Sequence, residues 1–378
     1  MKKNIKAVQA LFLAPAVFFI FPGAAFADAG TPLMWLEIAH LLVGNAMIGV
    51  LEGFVIARIF KVKALRSILI MVLANYASMI AGCAGVAAIV YFLKSFITLY
   101  SIGILLIFFL IISFLLSIVL EWPFCYWILK RQVDVKKKAW RASVIAQFFS
   151  YVIIVPLYIY SSGLSLLVDC KVDRRLSFVK SDAWVYYISV DGADVNRVHI
   201  DGSVREKVVS AGGIHGESAR LFVRPSKTSD KWDLGVVDRQ PDRVLFEKML
   251  IVDFADHAEP FRRWDGELYE REPDSWGNIG ISDFRPAEER GWKVSGGFWA
   301  IEGLHAKNEE EGKDFYAALE TPFIQWVIRN ITVLPGDQVV FSLGSSQIVV
   351  MDLKTRKIGL LAFGYGPVVI FNERDERK

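Results

Sequence analysis

The chain has 378 residues, 54% of them hydrophobic, with a mean hydropathy of +0.38, which is more apolar than an ordinary soluble domain. Its formal charge of +3 divides unevenly: residues 1–168 hold 14 Lys and Arg against 5 Asp and Glu (+9), and residues 169–378 hold 29 against 35 (−6). The basic excess therefore lies among the apolar segments, where it orients them in a bilayer, and no nucleic-acid partner is expected.

Lys2, Lys3 and Lys6 precede the apolar run VQALFLAPAVFFIF, and Ala25-Phe26-Ala27 follows Pro22 and Gly23. This is the pattern of a secretory signal over residues 1–27, with cleavage before Asp28; an uncleaved first helix is the other reading, and both place Asp28 outside. Four apolar segments follow at 33–57, 67–93, 96–120 (with continuation to Leu129 left open) and 143–167. Each reaches the ~20 residues that span ~30 Å of hydrocarbon. Arg58, Lys61, Lys63 and Arg66 join the first two segments. Lys130, Arg131, Lys136, Lys137, Lys138 and Arg141 join the last two, and only Lys94 lies between the middle pair. The alternation predicts cytoplasmic basic loops and an outward C-terminal region, hence a four-helix transmembrane domain over 28–168 and a periplasmic β-rich domain over 169–378. Trp35 at one end, and Trp122, Tyr126, Trp127 and Trp140 at the other, suit the two interfacial belts of a lipid bilayer. In the second segment, Ala77, Ala81 and Gly85, with Ala74, Ser78 and Gly82 beside them, are spaced for close helix packing inside the bundle. Cys83, Cys125 and Cys170 are too few and too scattered for a disulfide framework.

Beyond Cys170 the pattern becomes short alternating runs. WVYYISVDGADVNRVHI reads as strand, Asp-Gly turn and strand, and QVVFSLG, SQIVVMDL and KIGLLAFG continue the pattern, each with one apolar face. Asp201, Asp238 and Asp352 each open a turn in a weak repeat; their spacings of 37 and 114 are near one and three times ~40 residues, the length of a propeller blade. The stretch containing Tyr186, Tyr187, Arg197, Asp201, Gly202 and Ser203 resembles YWTD-type and related bacterial β-propeller repeats, although the YWTD tetrad itself is missing. The resemblance implies a propeller-like domain, with an irregular β-sandwich as the rival. Trp264, Trp276, Trp292 and Trp299 are candidates for a loop platform and equally for core filling. The run Glu309-Glu310-Glu311 reads as a solvated loop.

The first mature helix carries Glu37, His40, Asn45 and Glu52, which at ~100° per residue fall with Gly44 within an arc of about 140°. Glu121 joins them from the third segment, beside Pro123, where a kink is expected. Carboxylates at membrane depth are functional candidates. By depth they divide into an outer Glu37/His40 pair, whose i, i+3 spacing suits a helical metal site that would need further ligands, and an inner Glu52/Glu121 pair. The inner pair could handle a proton or cation, or could instead pair with Arg58 or Lys130 and set helix register. No metal or other cofactor is expected, and no nucleophile elbow, His-Glu-x-x-His, phosphate loop or Cys-x-x-Cys is present. In VDGADVN, Asp191, Asp194 and Asn196 read as a turn and not as a calcium loop. The sequence thus predicts an inner-membrane protein of bacterial type, not an enzyme, presenting a β domain to an envelope-protein or cell-wall partner. The alternative is a small ion- or proton-coupling module that uses the intramembrane carboxylates, with the β domain as an external cap.

Overall fold

A computed structural model describes residues 31–93, 96–163, 165–214, 219–240, 243–255, 287–289, 291–298 and 301–371. The predicted signal, His215, His257, Trp264, Trp276 and Trp299 lie outside these residues. Two compact units are formed. One comprises residues 31–80 and 117–163; the other takes 81–116 together with most of the chain beyond 164.

Among the described residues, four helices are long and apolar enough to cross a membrane: Pro32–Phe60, Ala64–Leu93, Ile102–Leu129 and Val135–Ser161. The first is composite. Helix α1 (Pro32–Ala39) starts on Thr31, whose hydroxyl accepts the Met34 N–H at 3.1 Å, with Pro32 in the first turn. A π-helical segment, His40–Gly44, separates it from α2 (Asn45–Phe60). The buried residues of α2, namely Asn45, Gly49, Glu52, Gly53, Ile56 and Ala57, recur at helical spacing on one face. Helix α3 is Ala64–Leu93, α4 is Ile102–Leu129 and runs without interruption through Pro123, and α5 is Val135–Ser161.

Helix α5 begins eight residues before the predicted segment. Its first turns bury Ala139, Ala142 and Ser143 while Lys136, Lys137 and Arg141 stay exposed, so an amphipathic helix forms where hydropathy alone finds a loop. The small-residue expectation also needs revising. Ala74 and Ser78 do pack inside the bundle, but a Cβ on Gly82 or Gly85 would meet nothing within 4 Å, so the stripe does not continue as a packing face to that end. The close approach lies at Gly49 and Gly53, where an added Cβ would stand 2.5 Å from Val72 Cα and 2.4 Å from Ile68 Cα. Backbone contact of this kind is how membrane helices gain dispersion energy without a hydrophobic driving force.

Among the described residues, the region after the fourth span is β apart from the short helix α6 (Leu166–Asp169), and none of its sheets closes into a barrel. Strands β2 (Ala183–Ile188), β3 (Asp194–His199) and β4 (Arg205–Ser210) form an antiparallel meander, and the C-terminal β18 (Tyr365–Phe371) pairs with β2 to complete its sheet. β5 (Ala219–Pro225), β6 (Trp232–Gln240) and β7 (Arg243–Ala255) form the next sheet, and β8 (Ala287–Glu289), β9 (Trp292–Phe298), β10 (Ile301–Asn308) and β11 (Lys313–Ala318) another. After the short pair β12 (Glu320–Thr321) and β13 (Ile324–Gln325), strands β14 (Ile328–Leu334), β15 (Gln338–Leu343), β16 (Gln347–Asp352) and β17 (Lys357–Phe363) make the fourth large sheet. The two-residue β1 (Lys171–Val172) runs parallel to β17 at its edge.

The predicted Asp-Gly hairpin is present, with Trp184 opposite His199 and Ile188 opposite Val195. Its turn needs Gly192 (φ +69°), where a Cβ would collide with Ile214 O at 1.7 Å. Asp191 Oδ1 accepts the Ala193 N–H at 3.1 Å and the Ser189 hydroxyl at 2.5 Å, as an Asx turn does. Asp201 and Asp352 open turns as expected. Asp238 does not: it lies within β6, in register with Ala219 and Phe246, because that strand runs on to Gln240.

Strands β15 and β16 correct the expectation of one apolar face. All their residues are buried, and alternate side chains enter two different cores. Val339, Phe341, Leu343, Val349 and Met351 join Trp292 and Leu304 on one side, while Val340, Ile348 and Val350 join Val185, Val198 and Ile200 on the other. The period of two separates core from core here, because the sheet is covered on both sides. The first of these cores also holds Ile97 and Leu99, from the turn between α3 and α4, and Ile102, the first residue of α4. The Leu99 N–H donates to Gln347 Oε1 at 2.7 Å, and the Tyr100 hydroxyl donates to Leu360 O (3.2 Å) and accepts from Leu360 N (3.0 Å). Residues 96–101 were expected to begin a span. Instead they form a tip built into the β region, and α4 starts at Ile102.

Candidate functional site

Glu52 and Glu121 meet at the centre of the helical unit, 0% and 1% exposed. Glu52 comes from the buried face of α2. Its Oε1 accepts a short hydrogen bond from the Ser150 hydroxyl of α5, and its Oε2 accepts the Asn75 amide of α3 at 2.5 Å. Glu121 comes from α4, close enough for the two carboxyls to repel one another. The Ser78 hydroxyl of α3 faces both Glu121 Oε1 (3.1 Å) and Asn75 O (3.0 Å), sharing one hydrogen between them. Gln147 of α5 stands beside the Glu121 carboxyl, whose Oε2 is buried without a well-aligned hydrogen-bond partner. All four long helices therefore contribute to one polar cluster. It is enclosed by Ile56, Ile70, Met71, Ala74, Cys125, Ala142 and Ala146.

No ion pair reaches either carboxyl among the described residues, and Arg58 and Lys130 are exposed to solvent. The pairing expected from sequence as a register device is thus not formed. Two carboxylates side by side in an apolar enclosure cannot both stay anionic without a counter-charge, so the cluster needs a bound proton or a cation. That requirement is its chemistry.

The outer residues lie apart. His40 Nδ1 is 2.9 Å from the Tyr158 hydroxyl, with the rings edge to face, and Glu37 lies near that same hydroxyl. The expected continuous polar face is interrupted, because in the π segment the Asn45 N–H reaches back five residues to His40 O. The extra residue turns α1 relative to α2, so a uniform 100° wheel cannot be carried from Glu37 to Glu52. The Asn45 amide donates to the His40 and Leu41 carbonyls, the latter bond a long 3.4 Å. Among the described residues, no three His, Cys, Asp or Glu side chains gather in a metal-binding group.

Asn75, Ser78, Gln147 and Ser150 were not singled out from sequence, yet the signals were present. Ser143, Gln147 and Ser150 repeat at i, i+4, i+7 along α5, and Gly49-x-x-x-Gly53 brackets Glu52.

In the β region Trp292 is core, 1% exposed, with its indole N–H donating to Asp337 Oδ1 at 2.7 Å. The Glu309–Glu311 run is an exposed turn neutralised by Lys307, Lys313 and Lys354. His199 is flanked by Asp182 (3.0 Å from Nε2) and Asp201 (2.7 Å from Nδ1). Partial burial opposes protonation of the imidazole, but the two carboxylates outweigh it and hold the group above its ordinary value. Asp201 is brought down to about 2 by the Ser203 and His199 bonds, against its own burial. A raised histidine stabilises the fold below its unfolded value near 6.5 and loses that contribution as pH rises through the folded value. Relative to His199→Gln, the wild type should melt a few degrees higher at pH 6, with the gap closing by pH 9, as expected for a part-exposed pair worth up to ~1 kcal/mol. A gap independent of pH would show that packing against Trp184, and not charge, is what His199 supplies.

Compared with known proteins, the chain matches no family model, no curated protein and no solved structure.

Proposed function

We propose that the chain is a multi-pass protein of the bacterial inner membrane that handles a proton or small cation at Glu52 and Glu121, with the β region as an extracytoplasmic cap. The observation that carries this reading is the pair of fully buried carboxyls from α2 and α4, held by donors from α3 and α5 and left without a cation. Such groups are costly in a bilayer interior and belong to ion pathways more often than to scaffolds. Two arguments support the orientation. The basic loops read as cytoplasmic; independently, the tip carrying Leu99 and Tyr100 is bound into the β region, so that turn and the C-terminal part of the chain share one side. Four successive sheets, the first completed by the C-terminal strand β18, support a propeller-like closure over a sandwich. The partner-display reading has less behind it, since Trp292 serves the core.

Reconstituted in liposomes under an imposed membrane potential, the protein should take up protons or a monovalent cation. Glu52→Gln and Glu121→Gln should each lower that uptake about tenfold or more, the scale of losing one charge-stabilising group. Equal uptake by the wild type and both variants would sink the proposal.

A further inference from the structure

Resting on that reading and deepening it, we infer that the ion is a proton, carried on Glu121 Oε2, with Glu52 as the fixed carboxylate beside it. The first support is space. Gly49 and Gly53 bracket Glu52, and an added Cβ at either would stand 2.5 Å or less from the α3 backbone, so the two helices touch at that depth. Membrane sodium sites draw carbonyl ligands from unwound helices. Here α2 and α3 stay helical on either side of the cluster, so their carbonyls remain in the helix ladders. In the π segment the skipped Leu41 carbonyl faces the Asn45 amide at a long 3.4 Å, and Leu42 O accepts the Tyr76 hydroxyl at 2.7 Å. A proton needs neither room nor a shell of oxygens.

The second support is the hydrogen-bond pattern. A carboxylate only accepts, and both oxygens of Glu52 accept from neutral donors, Ser150 and Asn75, as suits an anion. Glu121 differs. Its Oε1 accepts from Ser78 and the Gln147 amide also approaches the carboxyl, but Oε2 is buried with no hydrogen-bond partner of good geometry. A proton at Oε2 removes the charge from this unsatisfied oxygen, whereas an anionic Oε2 is left bare.

The ionisable groups facing Glu121 are Glu52 from α2, Tyr151 from α5 and Cys125 on its own helix; α3 contributes only the neutral Asn75 and Ser78. None is cationic, so the proton is the only positive charge these groups provide for. In each transfer one proton passes from water to Oε2 and leaves again to water; no other bond forms or breaks.

The test is difference infrared spectroscopy of the full-length protein in lipid, titrated from pH 5 to 9 with and without sodium. The wild type should show the C=O band of one buried carboxylic acid at pH 7, insensitive to sodium. Glu121→Gln should abolish it, Glu52→Gln should keep it, and Ser78→Ala should shift it by removing the donor to Oε1. Ser78→Ala retains both carboxyls and carries the test if the Glu121 variant does not fold. A band missing from the wild type, lost on adding sodium, surviving in Glu121→Gln or unmoved in Ser78→Ala overturns the assignment. Those failures are separable from failure of the wider reading: carboxyl-dependent uptake without the band means another ion uses the site, whereas uptake indifferent to both carboxyls removes the site itself.

Discussion

A fragment starting at Lys171 and carrying only the β region will not reach a cooperative native fold. The core shared by β14–β17 and the sheet of β8–β11 includes Ile97, Leu99 and Ile102, each at most 5% exposed, supplied from the turn between α3 and α4 and from the first residue of α4. Deleting one buried Leu or Ile side chain costs about 2–5 kcal/mol. Three together rival the ~5–15 kcal/mol by which a whole domain is stable. Their loss also leaves the Gln347 carbonyl and the Leu360 backbone pair without the Leu99 and Tyr100 partners. The fragment should therefore bind a hydrophobic dye, lack near-ultraviolet circular dichroism and melt without a sharp transition. In the intact chain, Leu99→Ala alone should cost about 2–5 kcal/mol. A well-dispersed amide spectrum from the fragment would contradict this and make the tip dispensable.

Gly53→Val should be the most damaging single change in the helical unit. Its Cβ would stand 2.4 Å from Ile68 Cα and 2.7 Å from Ile68 N, and backbone atoms cannot swing aside as a flexible side chain can. The helices must part, and the Glu52–Asn75 bond between α2 and α3 is stretched with them. Overpacking alone costs about 1–3 kcal/mol, and loosening a buried hydrogen bond to a carboxylate adds about 1.5–3 kcal/mol. Gly82→Val is the control: with nothing within 4 Å of its Cβ, it should stay within about 0.5 kcal/mol of wild type. Thermal melts in detergent compare the two directly. Equal melting temperatures would mean that the Gly49/Gly53 contact does not hold the bundle.

Much of the architecture was legible in the chain. Runs of ~20 apolar residues can only be spans or deep core, and the Asp191-Gly192 turn declares its hairpin through a conformation that glycine adopts freely. What escaped depends on contacts distant in sequence. Hydropathy located Glu52 and Glu121, but could not show that Asn75, Ser78 and Ser150 supply their hydrogen bonds, since serine and asparagine are common on membrane helices for local reasons. The tip at Ile97–Ile102 reads as membrane because a residue buried in a protein core and one buried in lipid have the same side chain. The alternation of β15 and β16 was visible, but whether its second face meets water or another sheet is decided by strands far away in the chain.

The π segment at His40–Gly44 bears on how this chain is to be lined up with others. Such a segment amounts to one surplus residue in an otherwise regular helix. A counterpart lacking that residue would carry the same outer and inner positions one number closer together, with His40 and Glu52 separated by eleven steps instead of twelve. A search that holds the helix gap-free would match one end of it and miss the other. Allowing a single-residue gap between His40 and Asn45 is the setting under which distant kin of this helix can be matched along its full length.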